Sequence, residues 1–202
     1  MENFMSAYLI ASMKLHDHDS YEEYKKLVPE IISKHSGKYI IRGGELKVVE
    51  GNWPGDRIAV LEFPDYSSAR NFVDDPEYKP IAEIRKNSST SHIWLIDGVV
   101  NKPNTTDMHG YILGHVLIND EILYKTYADK VPEVMTELGG AYLARGGFCE
   151  TIEGDLTLDR IVIVGFSSSN TADNFHKSDL YAPLLNIRTS ASESNIVIVE
   201  GL

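Results

Sequence analysis

Hydrophobic positions follow two alternating periods along the first hundred residues. Short apolar runs rich in strand-forming residues occupy 7–14, 57–63 and 92–97, and such runs predict β-strands. After the first run, apolar residues recur at helical spacing, namely Tyr21, Tyr24, Leu27, Val28, Ile31 and Ile32. With a further strand at 38–42 and a helical stretch at 66–86, the pattern predicts the order strand, helix, strand, strand, helix, strand.

Local signals refine these elements. Ser20 with Glu23 three residues later forms a capping box, which predicts that the first helix starts there. Pro29 inside this helix and Pro132 at the equivalent position predict a kink or a break at the same place in both halves of the chain. Asp75-Pro76 should interrupt the second helical stretch, and residues 47–50 should form a ribbon of their own after the Gly-rich turn.

The chain repeats itself at an offset of 103 positions. Residues 8–99 align with 111–202 without a gap, and 29 of the 92 aligned pairs are identical (29/92 ≈ 32%). We therefore predict two α+β repeats, at 5–99 and 110–202. Residues 100–109 between them are rich in Asn, Thr and Pro and are predicted to be an exposed linker.

Each repeat has the ferredoxin-like βαββαβ order, an antiparallel sheet with both helices on one face. The runs 58–61 and 161–164 are apolar on both sides of the strand, so the second face must also be covered. We expect the two repeats to pack sheet to sheet as an intrachain pseudo-dimeric α+β barrel. The alternative is pairing with a copy from another chain, which would give a homo-oligomer.

Composition excludes several classes of function. The net charge of −11 and the pI near 5.0 disfavour binding to nucleic acids or anionic membranes. Cys149 is the single cysteine, no apolar run is long enough to span a membrane, and no signal sequence is evident. A cytoplasmic protein with a small-molecule ligand is expected. No cofactor is expected, because the sequence has no phosphate-binding loop, dinucleotide motif or hydrolase elbow.

Short motifs in both repeats resemble those of a bacterial family, the domain of unknown function 1330. The similar residues of the first repeat are Tyr21-Glu22-Glu23-Tyr24, Val28-Pro29, Arg42-Gly43-Gly44, Glu50-Gly51, Arg57, Glu62-Phe63-Pro64, Pro76-Glu77-Tyr78 and Arg85. The second repeat resembles the family more loosely. The resemblance implies the dimeric α+β barrel superfamily, which includes cofactor-free monooxygenases, lactone isomerases, haem enzymes and stress-linked ligand binders.

Arg42 and Glu62 are the first candidates for chemistry. Arg42 precedes two glycines at a strand end, where it could clamp a carboxylate or an enolate. Glu62 shares a strand face with apolar residues, which would favour a general base. The structural alternative is that Arg42 forms an ion pair with Glu62 or Asp56 across the sheet. Gly165 replaces Glu62 in the second repeat, so a single working site is expected in the first.

Histidines and aromatic residues complete the candidate set. His92 could move a proton with Arg42 and Glu62, although a core histidine is the commoner outcome. Residues 16–19 alternate His and Asp, and we interpret them as a capping turn rather than a metal site. The candidates for ligand contacts are Tyr8, Tyr39, Tyr78, Trp94, Arg145 and His115.

Two functions therefore remain open. One is a cofactor-independent isomerase or oxygenase that acts on a small organic substrate, with Arg42 stabilising negative charge. The other is a non-catalytic protein that binds a small ligand in a barrel or cleft. A purely structural module is a third and weaker hypothesis.

Overall fold

The computed structural model describes residues 5–156 and 160–202. Asp159, the repeat partner of Asp56, lies outside the described residues. The elements of the first repeat are β1 (Ala7–Leu15), α1 (His18–Lys34), β2 (Lys38–Arg42), β3 (Leu46–Glu50), β4 (Arg57–Phe63), α2 (Tyr66–Asp74), α3 (Tyr78–Ser88) and β5 (Ser89–Asp97).

The second repeat has the same order with one additional helix break. Its elements are β6 (Gly110–Ile118), α4 (Glu121–Ala128), α5 (Val131–Glu137), β7 (Ala141–Arg145), β8 (Cys149–Glu153), β9 (Ile161–Phe166), α6 (Ser169–Lys177), α7 (Ala182–Ala191) and β10 (Ser192–Glu200). The predicted βαββαβ order of each repeat is confirmed, and the predicted ribbon is the strand β3.

Each repeat contributes one strand, β3 or β8, to the sheet of the other repeat. One antiparallel sheet has the order β2-β4-β1-β5-β8 and the other β3-β10-β6-β9-β7. Strand β3 thus pairs with β10 of the second repeat, and β8 pairs with β5 of the first. Each sheet has five strands, of which one belongs to the other half of the chain.

The two sheets pack face to face, as the doubly apolar strands predicted. Their shared core contains Tyr8, Ile10, Val60 and Trp94 from the first repeat and Tyr111, Leu113, Ile163 and Val197 from the second. A separate apolar core lies between each sheet and its own helices. Cys149 packs at the edge of the shared core, where burial raises the pKa of its thiol to about 11, so the thiol is protonated and unreactive.

Two details of the first helix correct the sequence predictions. The helix begins earlier than the capping box suggested, because Asp17 rather than Ser20 is the N-cap and accepts a hydrogen bond from the Ser20 backbone N–H at 3.1 Å. Pro29 lies within a continuous α1, whereas Pro132 follows a break between α4 and α5. Asp129 stands at that break where α1 has Lys26, and Asp has the lower helix propensity.

The second helical stretch is interrupted as predicted, because α2 ends at Asp74 and α3 begins at Tyr78. None of the helices in the described part of the chain combines the length and hydrophobicity that crossing a bilayer requires.

Candidate functional site

A cleft lies between the helices and the sheet of the first repeat. Its wide part, the outer cavity, has a volume of about 480 Å³. Strands β1 and β5 form its floor, α2 and α3 form one wall, and the exchanged strand β8 closes the far side. The apolar lining residues are Leu9, Val73, Pro80, Ala82, Ile93 and Ile152, and the polar ones are Tyr78, Lys79, Glu83, Arg85, Lys86 and Glu153.

The outer cavity continues into a narrow inner cavity of about 30 Å³. Leu9, Tyr78, Arg85 and Ile93 line both, so the two form one first-repeat cleft. The polar lining of the inner cavity consists of four tyrosines and three arginines, namely Tyr21, Tyr24, Tyr39, Tyr78, Arg42, Arg57 and Arg85. Seven hydrogen-bonding side chains therefore surround a space that holds only a few water molecules.

Arg42 and Arg57 each lie over a tyrosine ring. The Arg42 guanidinium carbon is 4.8 Å from the centroid of the Tyr39 ring, and that of Arg57 is 5.3 Å from the centroid of Tyr21. Such stacking holds an arginine in place without neutralising its charge. Both residues thus bring positive charge to the lining of the inner cavity.

Arg85 is the most deeply buried cation of the cleft, with 2% of its surface exposed. Its Nη1 and Nη2 donate to the Glu153 carboxylate of the second repeat at 2.8 and 2.9 Å, and Nη1 also donates to Ser91 Oγ at 3.0 Å. Its Nε is buried and has no hydrogen-bond partner among the described residues. A buried donor without a partner costs free energy, which an acceptor on a ligand would recover.

Two tyrosines of the inner cavity, Tyr24 and Tyr39, are hydrogen-bond donors rather than bases. Burial raises the pKa of Tyr39 to about 12 and the pKa of Tyr24 well above its ordinary value. Both hydroxyls are therefore protonated at neutral pH. Together with the arginines they form a lining that favours a ligand with acceptor groups or negative charge.

The second repeat has the same inner lining. Its cavity of about 40 Å³ is bounded by Tyr124, Tyr127, Tyr142, Tyr181, Arg145, Arg160 and Arg188, each 103 positions after its counterpart. All seven are identical between repeats that share only 29 of 92 aligned residues. The Arg145 guanidinium carbon lies 4.9 Å from the centroid of the Tyr142 ring, and its Nη2 donates to the Ala128 carbonyl.

The rim of the second-repeat cleft differs from that of the first. His176 takes the place of Val73, and Leu185 takes the place of Ala82. His176 Nε2 lies 2.7 Å from Glu50 Oε1, a carboxylate on the exchanged strand β3 that also accepts from Arg188. Larger side chains thus occupy positions that are small in the outer cavity of the first repeat.

Glu62 and Arg42, which the sequence analysis grouped together, lie on opposite faces of the first sheet. Arg42 is on the helix side, whereas Glu62 pairs with Tyr8 on the side that faces the second sheet. Glu62 is 4% exposed, its Oε2 lies 3.4 Å from Lys38 Nζ, and its Oε1 accepts from Lys102. The alternative of an Arg42–Glu62 ion pair is therefore wrong, because two lysines take the arginine's place.

The packing around position 165 accounts for the glycine that the second repeat has in place of Glu62. A Cβ atom at that position would lie 2.3 Å from Met108 Sδ, since the linker packs there. The second repeat thus has no room for a counterpart of the Glu62 side chain.

His92 shares the inter-sheet face with Glu62 but lies at its other end. His92 is opposite Ser12 on β1 and Glu62 is opposite Tyr8, four residues away, or roughly 13 Å at about 3.3 Å per residue. The His92 ring stacks on Trp94, with the planes 6° apart. Arg42, Glu62 and His92 therefore do not converge on one cavity.

The remaining candidates divide between the cleft and the shared core. Tyr39 and Tyr78 line the first-repeat cleft, and Arg145 lines the second-repeat cleft. Tyr8 and Trp94 are fully buried between the sheets. His115 lies 3.5 Å from Asn195 through its Nδ1 and lines none of the cavities described above.

The sequence-based candidates missed four polar residues of the inner cavity and one carboxylate at its edge, namely Tyr21, Tyr24, Arg57, Arg85 and Glu153. The first four are identical in the repeat alignment, which was the available signal. Glu153 enters the cleft only through the exchange of β8, and no periodicity reveals that exchange. Over residues 5–156 and 160–202, no three His, Cys, Asp or Glu side chains are grouped so that they could hold a metal ion.

Comparison with known proteins gives a family and a fold. The family model described as a domain of unknown function (DUF1330) matches residues 6–99 and again residues 109–202. No curated protein matches the sequence.

Solved structures similar to this chain include two candidate monooxygenases and a chlorite dismutase. The candidate monooxygenase from Lactobacillus acidophilus has a TM-score of 0.57 at 10% identity, and the match covers 96% of this chain and 93% of that protein. The candidate monooxygenase from Fusobacterium nucleatum has a TM-score of 0.58 at 10% identity, and the match covers 100% of this chain and 94% of that protein. A mutant chlorite dismutase from Candidatus Nitrospira defluvii has a TM-score of 0.57 at 13% identity, covering 98% and 90%. At these identities the likeness establishes the dimeric α+β barrel fold alone.

Proposed function

The chain belongs in both halves to the DUF1330 family, and from that premise we propose that it binds a small organic acid in the first-repeat cleft. The observation that carries the proposal is the outer cavity of about 480 Å³ leading to an inner lining of arginines and tyrosines. Ligand pockets in proteins typically measure about 300 to 1,000 Å³ and combine an apolar wall with a few polar groups. Both conditions are met here.

Charge supports an acidic ligand. The chain carries a net charge of −11, yet Arg42, Arg57 and Arg85 all line this cleft and Lys79 and Lys86 stand exposed at its mouth. A cationic lining in an anionic protein attracts anions to one place and repels them elsewhere. The partnerless Arg85 Nε would donate to a carboxylate, an enolate or a phenolate oxygen.

The ligand's body is expected to be apolar or aromatic. Leu9, Ile93 and Ile152 give the floor of the outer cavity an apolar surface. A ligand whose acidic group reaches Arg85 and Tyr78 would bury its remaining carbon atoms against that floor. About 25 cal/mol for each Å² of apolar area buried would contribute to its affinity.

A second candidate function is catalysis on such a ligand without a cofactor. The cationic lining would stabilise an enolate, and similar folds occur among candidate monooxygenases and in an anthrone oxidase-like protein. The lining of this cleft contains no histidine or cysteine, the usual axial ligands of haem. Among the described lining residues, Glu153 is held by Arg85 and Glu83 is an exposed carboxylate paired with Lys86, while Glu62 and His92 lie outside the cleft. Binding is therefore the better supported function.

The test uses anilinonaphthalene sulfonate, a fluorescent probe with an aromatic body and an anionic group. Arg42→Ala removes a cation from the first-repeat cleft and should weaken probe binding by about 10-fold, the worth of one charge-assisted hydrogen bond. Arg145→Ala, the same change at the equivalent position of the second repeat, is the matched control and should leave the fluorescence titration unchanged.

Glu62→Gln serves as a second control and should also leave probe affinity unchanged. Equal affinity in the wild type, Arg42→Ala and Arg145→Ala would reject the first-repeat cleft as the binding site. Mass spectrometry of small molecules extracted from the purified protein would identify a natural ligand, and an organic acid is expected.

A further inference from the structure

The second-repeat cleft has a histidine that the first lacks. His176 lies in the last turn of α6, at the position of Val73, and lines the cavity of about 40 Å³. Its Nε2 is 2.7 Å from Glu50 Oε1, and 13% of its side chain is exposed. Nothing in the packing of the first repeat requires a polar group at this position.

His176 is one end of a hydrogen-bonded series. Glu50 accepts from His176 and from Arg188 Nη2, and Arg188 Nε donates to the Tyr181 hydroxyl at 3.1 Å. The Tyr181 hydroxyl in turn lies 3.4 Å from that of Tyr127. All five side chains belong to the lining of the second-repeat cleft or contact it directly.

The protonation states follow from the partners. Burial alone would raise the pKa of the Glu50 carboxyl, but the hydrogen bonds and charges of His176 and Arg188 hold it below its ordinary value. Glu50 is therefore an anion that only accepts hydrogen bonds, so His176 Nε2 is the donor of this pair. The other ring nitrogen, Nδ1, is left for a second partner.

Other lining residues of the same cavity can stabilise negative charge. Arg145 and Arg160 lie over Tyr142 and Tyr124, and the buried Nε of Arg160 has no partner among the described residues. Burial raises the pKa of Tyr142 to about 12, so its hydroxyl is a neutral donor. An oxygen that gains negative charge in this cavity would meet cations and hydroxyl donors.

The cavity size limits the substrate. About 40 Å³ has room for roughly three water molecules at about 10 to 15 Å³ of free volume each. Three waters displace about 90 Å³ of liquid, close to the volume of a three- or four-carbon compound. Of the two clefts, that of the first repeat has the volume for larger ligands.

We propose that the second-repeat cleft is a proton-transfer site for small carbonyl compounds, with His176 as the base and Glu50 as its positioning residue. The C–H bond next to the carbonyl breaks, its proton goes to His176 Nδ1, and its electron pair forms an enolate. The imidazolium then returns the proton to the enolate oxygen or to a carbon. The net change is proton exchange or isomerisation, which needs no co-reactant.

The test follows exchange of carbon-bound hydrogen for deuterium by proton NMR in deuterium oxide, with the full chain and pyruvate, 2-oxobutanoate or hydroxyacetone as probe. The wild type should exchange at least one probe about 100-fold faster than buffer, within the usual range for a general base. His176→Val places the first-repeat residue in the second repeat and should return the rate to that of buffer. Exchange at the buffer rate for all three probes in the wild type would overturn the proposal.

Two further variants separate positioning from folding. Glu50→Gln should slow exchange about 10-fold and shift its pH profile, which a purely structural role would not do. His18→Asn, which changes an exposed histidine, should leave the rate unchanged. His176→Val and Glu50→Gln should keep wild-type binding of anilinonaphthalene sulfonate, which reports on the other cleft and on folding. Equal exchange rates in His176→Val and the wild type, with folding intact, would also overturn the proposal.

Discussion

The two clefts of this protein share their inner lining and differ at their rims. The same four tyrosines and three arginines surround an inner space of about 30 Å³ in the first repeat and about 40 Å³ in the second. Beyond it, the first repeat has a cavity of about 480 Å³ beside Val73 and Ala82, where the second repeat has His176 and Leu185. At these two rim positions the second repeat has the larger side chain, while the four tyrosines and three arginines of the inner lining stay the same.

The exchanged ribbons show a second difference. Glu153 on β8 binds Arg85, and Glu50 on β3 binds Arg188, so each repeat supplies the counter-charge for a buried arginine of the other. Within the described part of the chain, Arg85 otherwise donates to Ser91, whereas Arg188 also donates to Tyr181 and Ser194. Without its carboxylate, Arg85 would therefore keep fewer hydrogen-bond partners than Arg188 would keep.

The largest expected effect is the loss of the first of these ion pairs. Glu153→Ala should lower the free energy of unfolding by about 3 kcal/mol, because it leaves the Arg85 cation buried with a single hydroxyl partner. Glu50→Ala should cost about 1 to 2 kcal/mol, since Arg188 keeps two partners. Urea unfolding followed by circular dichroism measures both. A larger loss for Glu50→Ala than for Glu153→Ala would contradict this account of the asymmetry.

The sequence predicted the architecture because its signals were local or repeated. The strands with two apolar faces predicted sheet-to-sheet packing, and the 103-residue offset predicted two similar halves. What the alignment could not show was the exchange of β3 and β8, because strand pairing between distant segments leaves no periodic pattern. For that reason Glu153 and Glu50 were not expected beside Arg85 and Arg188.

Prediction of site residues depended on which face of a strand each residue occupies. Arg42 and Glu62 both lie at strand ends, but a register shift in β2 between Tyr39 and Ile41 puts Arg42 on the helix side. A single-residue shift reverses the face of every later side chain, and no pattern in the sequence indicates this shift. The identical arginines and tyrosines of the two repeats were a better guide to the cleft than the residues in which the repeats differ.

Exchanging the rim residues should exchange the binding properties of the clefts. The double variant Val73→His with Ala82→Leu places second-repeat residues in the first repeat and should reduce affinity for anilinonaphthalene sulfonate at least 10-fold, about 1.4 kcal/mol. The reciprocal double variant, His176→Val with Leu185→Ala, should open a second site. Fluorescence and calorimetric titration would then give two bound probes per chain instead of one.

Each double variant controls for the other, because every introduced residue already occurs at the equivalent position. Both variants should unfold cooperatively in urea. Unchanged affinity in the first variant would show that the rim does not determine access to the cleft. Unchanged stoichiometry in the second would mean that other second-repeat side chains also close it.

The smallest expected effect is a pH dependence of the stability that Glu50 on β3 contributes. The pKa of Glu50 is lowered in the folded chain, so its contribution to stability is complete above the ordinary carboxyl value of about 4.3 and declines as pH falls through the lowered value. The stability difference between the wild type and Glu50→Gln, about 1 kcal/mol at pH near 5, should therefore shrink towards zero below pH of about 4. Urea unfolding of both proteins at several pH values from about 5 down to about 3 measures the difference between their free energies of unfolding. A difference that stays constant down to pH of about 3 would show that the Glu50 carboxylate does not support the exchanged strand through its charge.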